Sequence, residues 1–201
     1  MRIATVLLAA LTALPVLGQE PVVSKATIWP DIVKRGEMLR QVRGLGVITN
    51  SQSAMLRIAE TQVKEIQTGQ EVSIDTRQKP ILTGKVTRID SSVSNGVVTV
   101  DVGLNAPLPQ GLEPGLAVDG IILIGRLPEV TYVGRPVFGA ANSEASLFKI
   151  DPDGKHATKV KVRFGHASVN TIEVVDGLQE GDRVILSDMS AYAGQGRIRL
   201  E

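Results

Sequence analysis

The chain has 201 residues, with 22 Lys and Arg against 21 Asp and Glu, so its net charge is only +1. This balance gives no long-range attraction to nucleic acid. One Trp, two Tyr and three Phe are too few to predict a stacking platform for single-stranded bases. The sequence contains no cysteine, which excludes disulfides, thiolate metal sites, cysteine nucleophiles and a lipid-anchored cysteine.

The first residues have the layout of a secretory signal peptide. Arg2 supplies a positive charge, residues 3–17 are uncharged and rich in Ala and Leu, and the small residue Gly18 ends the stretch. We expect cleavage after Gly18, with residues 1–18 as the signal peptide and a periplasmic mature protein. The alternative is an inner-membrane anchor formed by residues 3–17. A span needs about 20 apolar residues, so the shorter stretch favours cleavage.

The next part of the chain combines a leader with strand-like segments. Residues 19–27 are polar and without periodicity, and we expect a flexible leader. Strand-like residues begin at Ile28. A strand with mixed faces is predicted over Met38–Arg43, and Gly44 and Gly46 are predicted to end it.

A stretch in the middle of the chain fits two kinds of secondary structure. Residues at helical spacing are Met55, Ile58, Ala59, Gln62, Val63 and Ile66. The residues Met55–Ala59 alone fit a short strand equally well, so periodicity leaves both open. A brief helix near 61–68 would be capped by Thr61 and ended by Gly69.

The rest of the sequence is dominated by strand and turn signals. Asn95-Gly96 predicts a type I′ hairpin turn, because both central residues of that turn need a positive φ. Residues 98–104 alternate apolar and polar, as in a half-buried strand. Residues 105–115 are rich in Pro and Gly and predict a loop. Short strands at this spacing with almost no helix predict an all-β barrel or sandwich.

The two histidines and one acidic turn are the candidate metal ligands. His156 and His166 lack the helical pairing of a zinc site and are expected on the surface. Asp151, Asp153 and Gly154 resemble the start of a calcium loop, but the Glu that an EF-hand needs at its twelfth position is missing. A hairpin turn is the favoured interpretation.

Motifs for phosphate binding and nucleophilic catalysis are also weak. Gly44-Leu45-Gly46 and Gly194-Gln195-Gly196 do not follow a strand and open a helix, as a phosphate-binding loop does. Ser187 and Ser190 lie outside any GxSxG elbow and have no histidine near them in sequence. We therefore expect a protein that is not an enzyme, with no catalytic residues, no metal and no cofactor.

A small basic cluster offers a possible membrane contact. It consists of Lys34, Arg35, Arg40 and Arg43. Such residues gain about 1 kcal/mol each near anionic headgroups. An ordinary solvated strand face is the favoured alternative, because charged surface residues are common.

Five segments resemble, in order, the barrel and membrane-proximal parts of the HlyD-like periplasmic adaptor (membrane fusion) proteins. The segments are Ile58–Ile74, Gly84–Ile89, Leu108–Gly120, Val133–Val137 and Val175–Ile185. Each is weak alone, but their order over roughly residues 55–200 makes the resemblance specific. It also favours a strand followed by one short helix near 61–68.

The resemblance implies an all-β fold in two parts. A small β-barrel would cover residues 53–126, and residues 28–48 with 127–201 would form a discontinuous membrane-proximal β-domain. The implied function is that of a non-enzymatic accessory subunit of an envelope efflux or secretion system. It would dock on an inner-membrane transporter, an ABC exporter slightly ahead of a proton-driven pump. Self-association, if it occurs, is expected to be weak or to depend on the transporter.

The sequence also departs from the family. Adaptors carry lipoyl-domain halves and a long α-helical hairpin at this point of the chain. Here only eight residues separate Gly46 from Met55, too few for either. Direct contact with an outer-membrane channel is therefore not expected.

Two other functions remain open. One is a stand-alone periplasmic β-module that binds a ligand or a cell-wall polymer, which an aromatic cluster would favour. The aromatic residues are scattered in sequence: Trp29, Tyr132, Phe138, Phe148, Phe164 and Tyr192. The other is a periplasmic hydrolase, which would need convergent polar residues that the sequence does not show.

Overall fold

The computed structural model describes residues 20–77 and 80–201, so the predicted signal peptide or anchor lies outside the described residues. The strands are β1 (Val22–Val23), β2 (Pro30–Ile32), β3 (Lys34–Asn50), β4 (Ser53–Ala59), β5 (Glu71–Asp75), β6 (Leu82–Ser94), β7 (Val97–Leu104), β8 (Ala117–Gly134), β9 (Glu144–Ile150), β10 (His156–Ala167), β11 (Thr171–Asp176), β12 (Arg183–Ile185) and β13 (Arg197–Leu200). One α-helix, α1 (Glu60–Val63), and two single 3-10 turns complete the described secondary structure. The predicted all-β class is confirmed. In these ranges, no helix has the length and hydropathy needed to cross a membrane.

Six strands pair in a ring that we call the barrel. The order is β3, β4, β7, β6, β5 and β8, and β8 pairs back onto β3. All of these pairings are antiparallel. Its interior is filled by branched aliphatic side chains: Val42, Ile48, Leu56, Ile58, Val72, Ile74, Val86, Val100, Val102, Val118 and Ile122.

The ambiguous stretch after residue 53 forms a strand and then a very short helix. Leu56 and Ile58 are fully buried and alternate with exposed neighbours, which is the period of a strand. The helix covers only Glu60–Val63, and Thr61 lies inside it instead of capping it. Because β4 runs directly into α1, Ala59 occupies the N-cap position and no side chain bonds the first amides. The predicted strand is thus present, and the helix is shorter than predicted.

The strongest predicted turn joins β6 to β7. Asn95 and Gly96 both have positive φ, at 52° and 73°, as a type I′ turn requires. In β7, Val98, Val100 and Val102 face the barrel interior. The amide of Glu60 donates to the carbonyl of Gly96 at 2.9 Å, which fixes this turn against α1.

Strand β3 runs through the two glycines that the sequence predicted would end it. It is continuous from Lys34 to Asn50. A Cβ at Gly46 would lie 1.9 Å from the carbonyl oxygen of Met55, and one at Gly44 would lie 2.4 Å from the side chain of Ile58. The predicted break was wrong because these glycines permit close approach of the neighbouring strand β4.

The remaining strands form what we call the C-terminal module. The order β2, β12, β9, β10, β11 leads into the far end of β8, and β13 pairs with β10. Leu147 and Phe164 belong to one buried cluster, whereas Phe148 and Ile198 belong to another. Neighbouring residues of β9 enter different clusters, so this part of the sheet is covered on both faces.

The segment predicted as a flexible leader is paired with the end of the chain. Val22 and Val23 form a parallel pairing with Arg199 and Leu200. The amide of Lys25 donates to the carbonyl of Glu201 at 2.7 Å. Val23 is 4% exposed because it packs in the second cluster of the C-terminal module, an apolar contact that composition alone did not indicate.

The barrel and the C-terminal module share two long strands. β3 and β8 pair over almost their whole lengths, and their register shifts between Gly36 and Met38 and again between Arg40 and Gln41. Such bulges bend a strand pair. The amide of Gln41 also donates to the buried Ser168 hydroxyl at 3.0 Å. The sequence assigned residues 28–48 to the membrane-proximal domain. In the structure, Val42 and Ile48 belong instead to the buried cluster of the barrel.

Candidate functional site

The histidines predicted to lie on the surface each lie beside a carboxylate at Nδ1, and Nε2 of His156 also lies 3.7 Å from Glu20 Oε2. His156 Nδ1 lies 2.6 Å from Asp153 Oδ2, and His166 Nδ1 lies 2.7 Å from Glu173 Oε2. Burial raises the pKa of Glu173, but hydrogen bonds from the backbone and side chain of His166 outweigh it and the net pKa is lowered. Within residues 20–77 and 80–201, no group of three or more His, Asp or Glu side chains is placed to hold a metal ion.

The acidic turn between β9 and β10 uses its carboxylates internally. Asp151 accepts the Thr158 hydroxyl at 2.9 Å and an Arg197 nitrogen at 2.9 Å. Gly154 has φ of 64°, and its amide donates to the carbonyl of Asp151 at 2.9 Å. The segment is therefore the hairpin turn that the sequence favoured over a calcium loop.

Asp153 gives a pH prediction for this turn. Its pKa is lowered to about 2, first by the hydrogen bond with the His156 side chain and then by backbone amides. A lowered pKa stabilises the fold above the ordinary value of 3.8, and this contribution is lost as the pH falls through about 2. In His156→Ala we expect the pKa of Asp153 to rise towards 3.8, but incompletely, because the amides of Lys155 and His156 remain.

Carboxyl-carbon NMR titration of the wild type and His156→Ala measures this shift. Asp188 is the matched control, because Ser190 and not a histidine lowers its pKa. It should titrate identically in both proteins. An Asp153 pKa that stays near 2 in the variant would contradict the assignment to His156.

The glycine pairs and Ser187 lie in strands, turns and bends of the described chain. Gly44 and Gly46 lie within β3 and do not open a helix. Gly194 and Gly196 follow the 3-10 turn of Ser190–Tyr192. The Ser187 hydroxyl accepts the amide of Trp29 at 3.2 Å, which is a structural role.

The predicted basic cluster is largely neutralised. Arg40 and Arg43 form ion pairs with Glu65 and Asp119. Arg43 lowers the pKa of Asp119 through its hydrogen bonds, which outweigh the effect of burial. Arg35 lies 3.9 Å from Glu129. These contacts favour a paired strand surface over a lipid-binding patch.

The structure does bring together two aromatic side chains that are distant in sequence. Trp29 and Tyr132 line one groove of about 400 Å³ on the C-terminal module, with Val137 on its wall. Trp29 is 70% exposed. Its carbonyl accepts the amide of Leu186 at 2.8 Å. We call this feature the Trp29 groove. Its remaining lining residues are Asp31, Lys34, Val133, Gly134, Arg135, Val169, Asn170, Thr171, Leu186 and Ser187.

Beside the groove, the connection between β8 and β9 presents two apolar side chains to solvent. Val137 is 90% exposed and Phe138 is 45% exposed. The Arg135 guanidinium donates to the carbonyls of Gly139 and Ser168, both at 2.9 Å. We call Val137 and Phe138 the apolar tip. Neither the groove nor the tip was predicted from sequence, because both depend on long-range strand pairing.

No family model and no curated protein matches the chain. Among solved structures, a match is the crystal structure of MacA from Actinobacillus actinomycetemcomitans, at 17% sequence identity and a TM-score of 0.44. The match covers 69% of this chain and 43% of that chain, so the chain spans less than half the length of the matched structure. The similarity extends over only part of each chain.

Proposed function

We propose that this protein is a non-enzymatic accessory subunit of a bacterial envelope efflux or secretion system, which docks on an inner-membrane transporter. The observation that carries the proposal is the apolar tip, Val137 and Phe138, held out from the C-terminal module. The adaptor resemblance in the sequence supports the class of partner, with an ABC exporter ahead of a proton-driven pump. Cleavage after Gly18 would release the mature chain into the periplasm.

The tip has the properties of a preformed contact. Leaving a Val or Phe side chain exposed forgoes roughly 1.5–3 kcal/mol of burial free energy. The two guanidinium bonds of Arg135, together with the Gly139 amide donating to the Pro136 carbonyl at 2.8 Å, fix the backbone that carries both side chains. A partner that covers the tip recovers the burial energy without ordering a loop.

The short connection between β3 and β4 supports a role without direct contact to an outer-membrane channel. β3 and β4 are joined through Ser51 and Gln52 alone, and Asn50 accepts the amide of Gln52 at 2.9 Å. The Gln52 carbonyl in turn accepts the amide of Leu104 at 2.8 Å. Adaptors of the family insert their lipoyl and helical hairpin segments here. We infer that this chain does not itself contact an outer-membrane channel, and that any such link uses another protein.

Photo-crosslinking in whole envelopes tests the docking surface. A photoreactive residue in place of Val137 or Phe138 should give an adduct with an inner-membrane permease, because the partner covers the tip. Leu45, which is 60% exposed on the barrel, is the matched control position and should give little adduct. Equal adducts from position 45, or direct adducts with an outer-membrane channel, would contradict the proposal.

A further inference from the structure

We propose that the Trp29 groove binds a saccharide, and that its ligand in the envelope is the glycan of the cell wall. This goes beyond transporter docking and rests on the proposed function only for the envelope location. A groove of about 400 Å³ lies within the range of roughly 300–1,000 Å³ found for small-molecule sites. Its aromatic rings, its polar side chains and its fixed main chain all fit a saccharide.

Two aromatic side chains, Trp29 and Tyr132, line the groove. A Trp that is 70% exposed is unusual, because this side chain is highly buried on average. Tyr132 lines the same groove although it is distant in sequence. Aromatic rings provide a flat apolar surface with a polar edge. The C–H face of a pyranose ring matches such a surface, while its hydroxyl groups remain free to bond at the sides.

The groove is also lined by polar side chains. The residues that line the groove include four with polar side chains, Lys34, Tyr132, Asn170 and Thr171. None of these side chains has a partner among the residues that the structure describes. An acyl chain in the groove would remove these groups from water without bonding them, which costs roughly 1–3 kcal/mol each. A polyhydroxylated ligand can bond all four, so the groove chemistry favours a saccharide over a lipid tail.

Hydrogen bonds hold the main chain on both sides of the groove. The Trp29 amide donates to the Ser187 hydroxyl at 3.2 Å, and the Trp29 carbonyl accepts the Leu186 amide at 2.8 Å. On the other side, the Arg135 amide donates to the Asn170 carbonyl at 2.9 Å. These bonds fix the main chain on both sides of the groove, so a ligand need not order it.

Trp29 is the only tryptophan in the chain, so its fluorescence reports directly on the groove. In the purified mature protein, an N-acetylglucosamine tetramer should shift Trp29 emission to shorter wavelength in a saturable titration. Tyr132→Phe and Asn170→Ala should each weaken binding about tenfold, the equivalent of one lost hydrogen bond. Leu45→Ala, a matched exposed apolar change on the barrel, should leave the affinity unchanged.

Co-sedimentation with purified cell-wall sacculi gives an independent readout. Wild type and Leu45→Ala should sediment with the sacculi, whereas Trp29→Ala should not. Unchanged Trp29 emission at millimolar saccharide, or equal sedimentation of Trp29→Ala, would overturn the proposal. So would a shift produced by phosphatidylglycerol vesicles and not by saccharide. A failed permease crosslink from the apolar tip would leave these results intact, because they need only the purified protein.

Discussion

Gly46→Ala is expected to lower the free energy of unfolding by about 3 kcal/mol, near the upper end of typical overpacking costs. The added Cβ would lie 1.9 Å from the Met55 carbonyl oxygen and 2.9 Å from a Leu56 methyl group. Backbone cannot move away as a flexible side chain can, and Gly46 pairs with Leu56 on one side and Val118 on the other. Relief would therefore require β3 to separate from β4 within the ring.

Gly125→Ala is the matched control. Gly125 also lies in a strand of the same pair, β8, but a Cβ there meets nothing within 4 Å. We expect its free energy of unfolding to change by less than about 0.5 kcal/mol, as for an ordinary surface substitution. Urea unfolding of the three proteins measures the difference. Equal midpoints for the two variants would show that β3 and β4 do not approach as closely as the structure places them.

The sequence predicts the parts of the fold that are decided by neighbouring residues, and it does not predict the contacts of Gly46. Local signals were sufficient where neighbours along the chain decide the structure, as at the Asn95-Gly96 turn and the alternating Val98–Leu104 strand. Local signals failed at Gly46, because a glycine can either end a strand or allow another strand to approach, and the two cases look alike in sequence. Only the backbone of the neighbouring strand β4 distinguishes these cases, and the sequence does not show how closely that strand approaches.

The candidate site was less accessible to sequence reasoning than the fold. Trp29 and Tyr132 line the same groove because β2 and β8 lie close together, although no local pattern links them. The single Trp in a chain poor in aromatic residues was the only sequence signal. The basic cluster shows the opposite error: Arg43 looked unpaired in sequence because its partner, Asp119, lies 76 residues away on β8.

A substitution in one buried cluster should lower the stability of one part of the chain and not of the other. We propose that the barrel and the C-terminal module unfold as separate cooperative units. Phe164→Ala should lower the stability of the C-terminal module by about 4 kcal/mol, as expected for removing a buried Phe side chain. Phe164 is 2% exposed and packs with Leu147, Val162 and Ile172. The buried residues of the barrel cluster include none of these.

Hydrogen exchange followed by mass spectrometry measures the effect in each part. In Phe164→Ala, amides of β9, β10 and β11 should exchange faster, while β4 and β7 keep their protection, because local opening is confined to the unit that lost its packing. Leu56→Ala, fully buried in the barrel, is the mirror control and should give the reverse pattern with a loss of about 3 kcal/mol. The long strands β3 and β8 cross between the parts, so their amides should respond to whichever end is weakened. If either substitution removes protection from both parts to the same extent, these strands couple the whole sheet, and the chain is one cooperative unit.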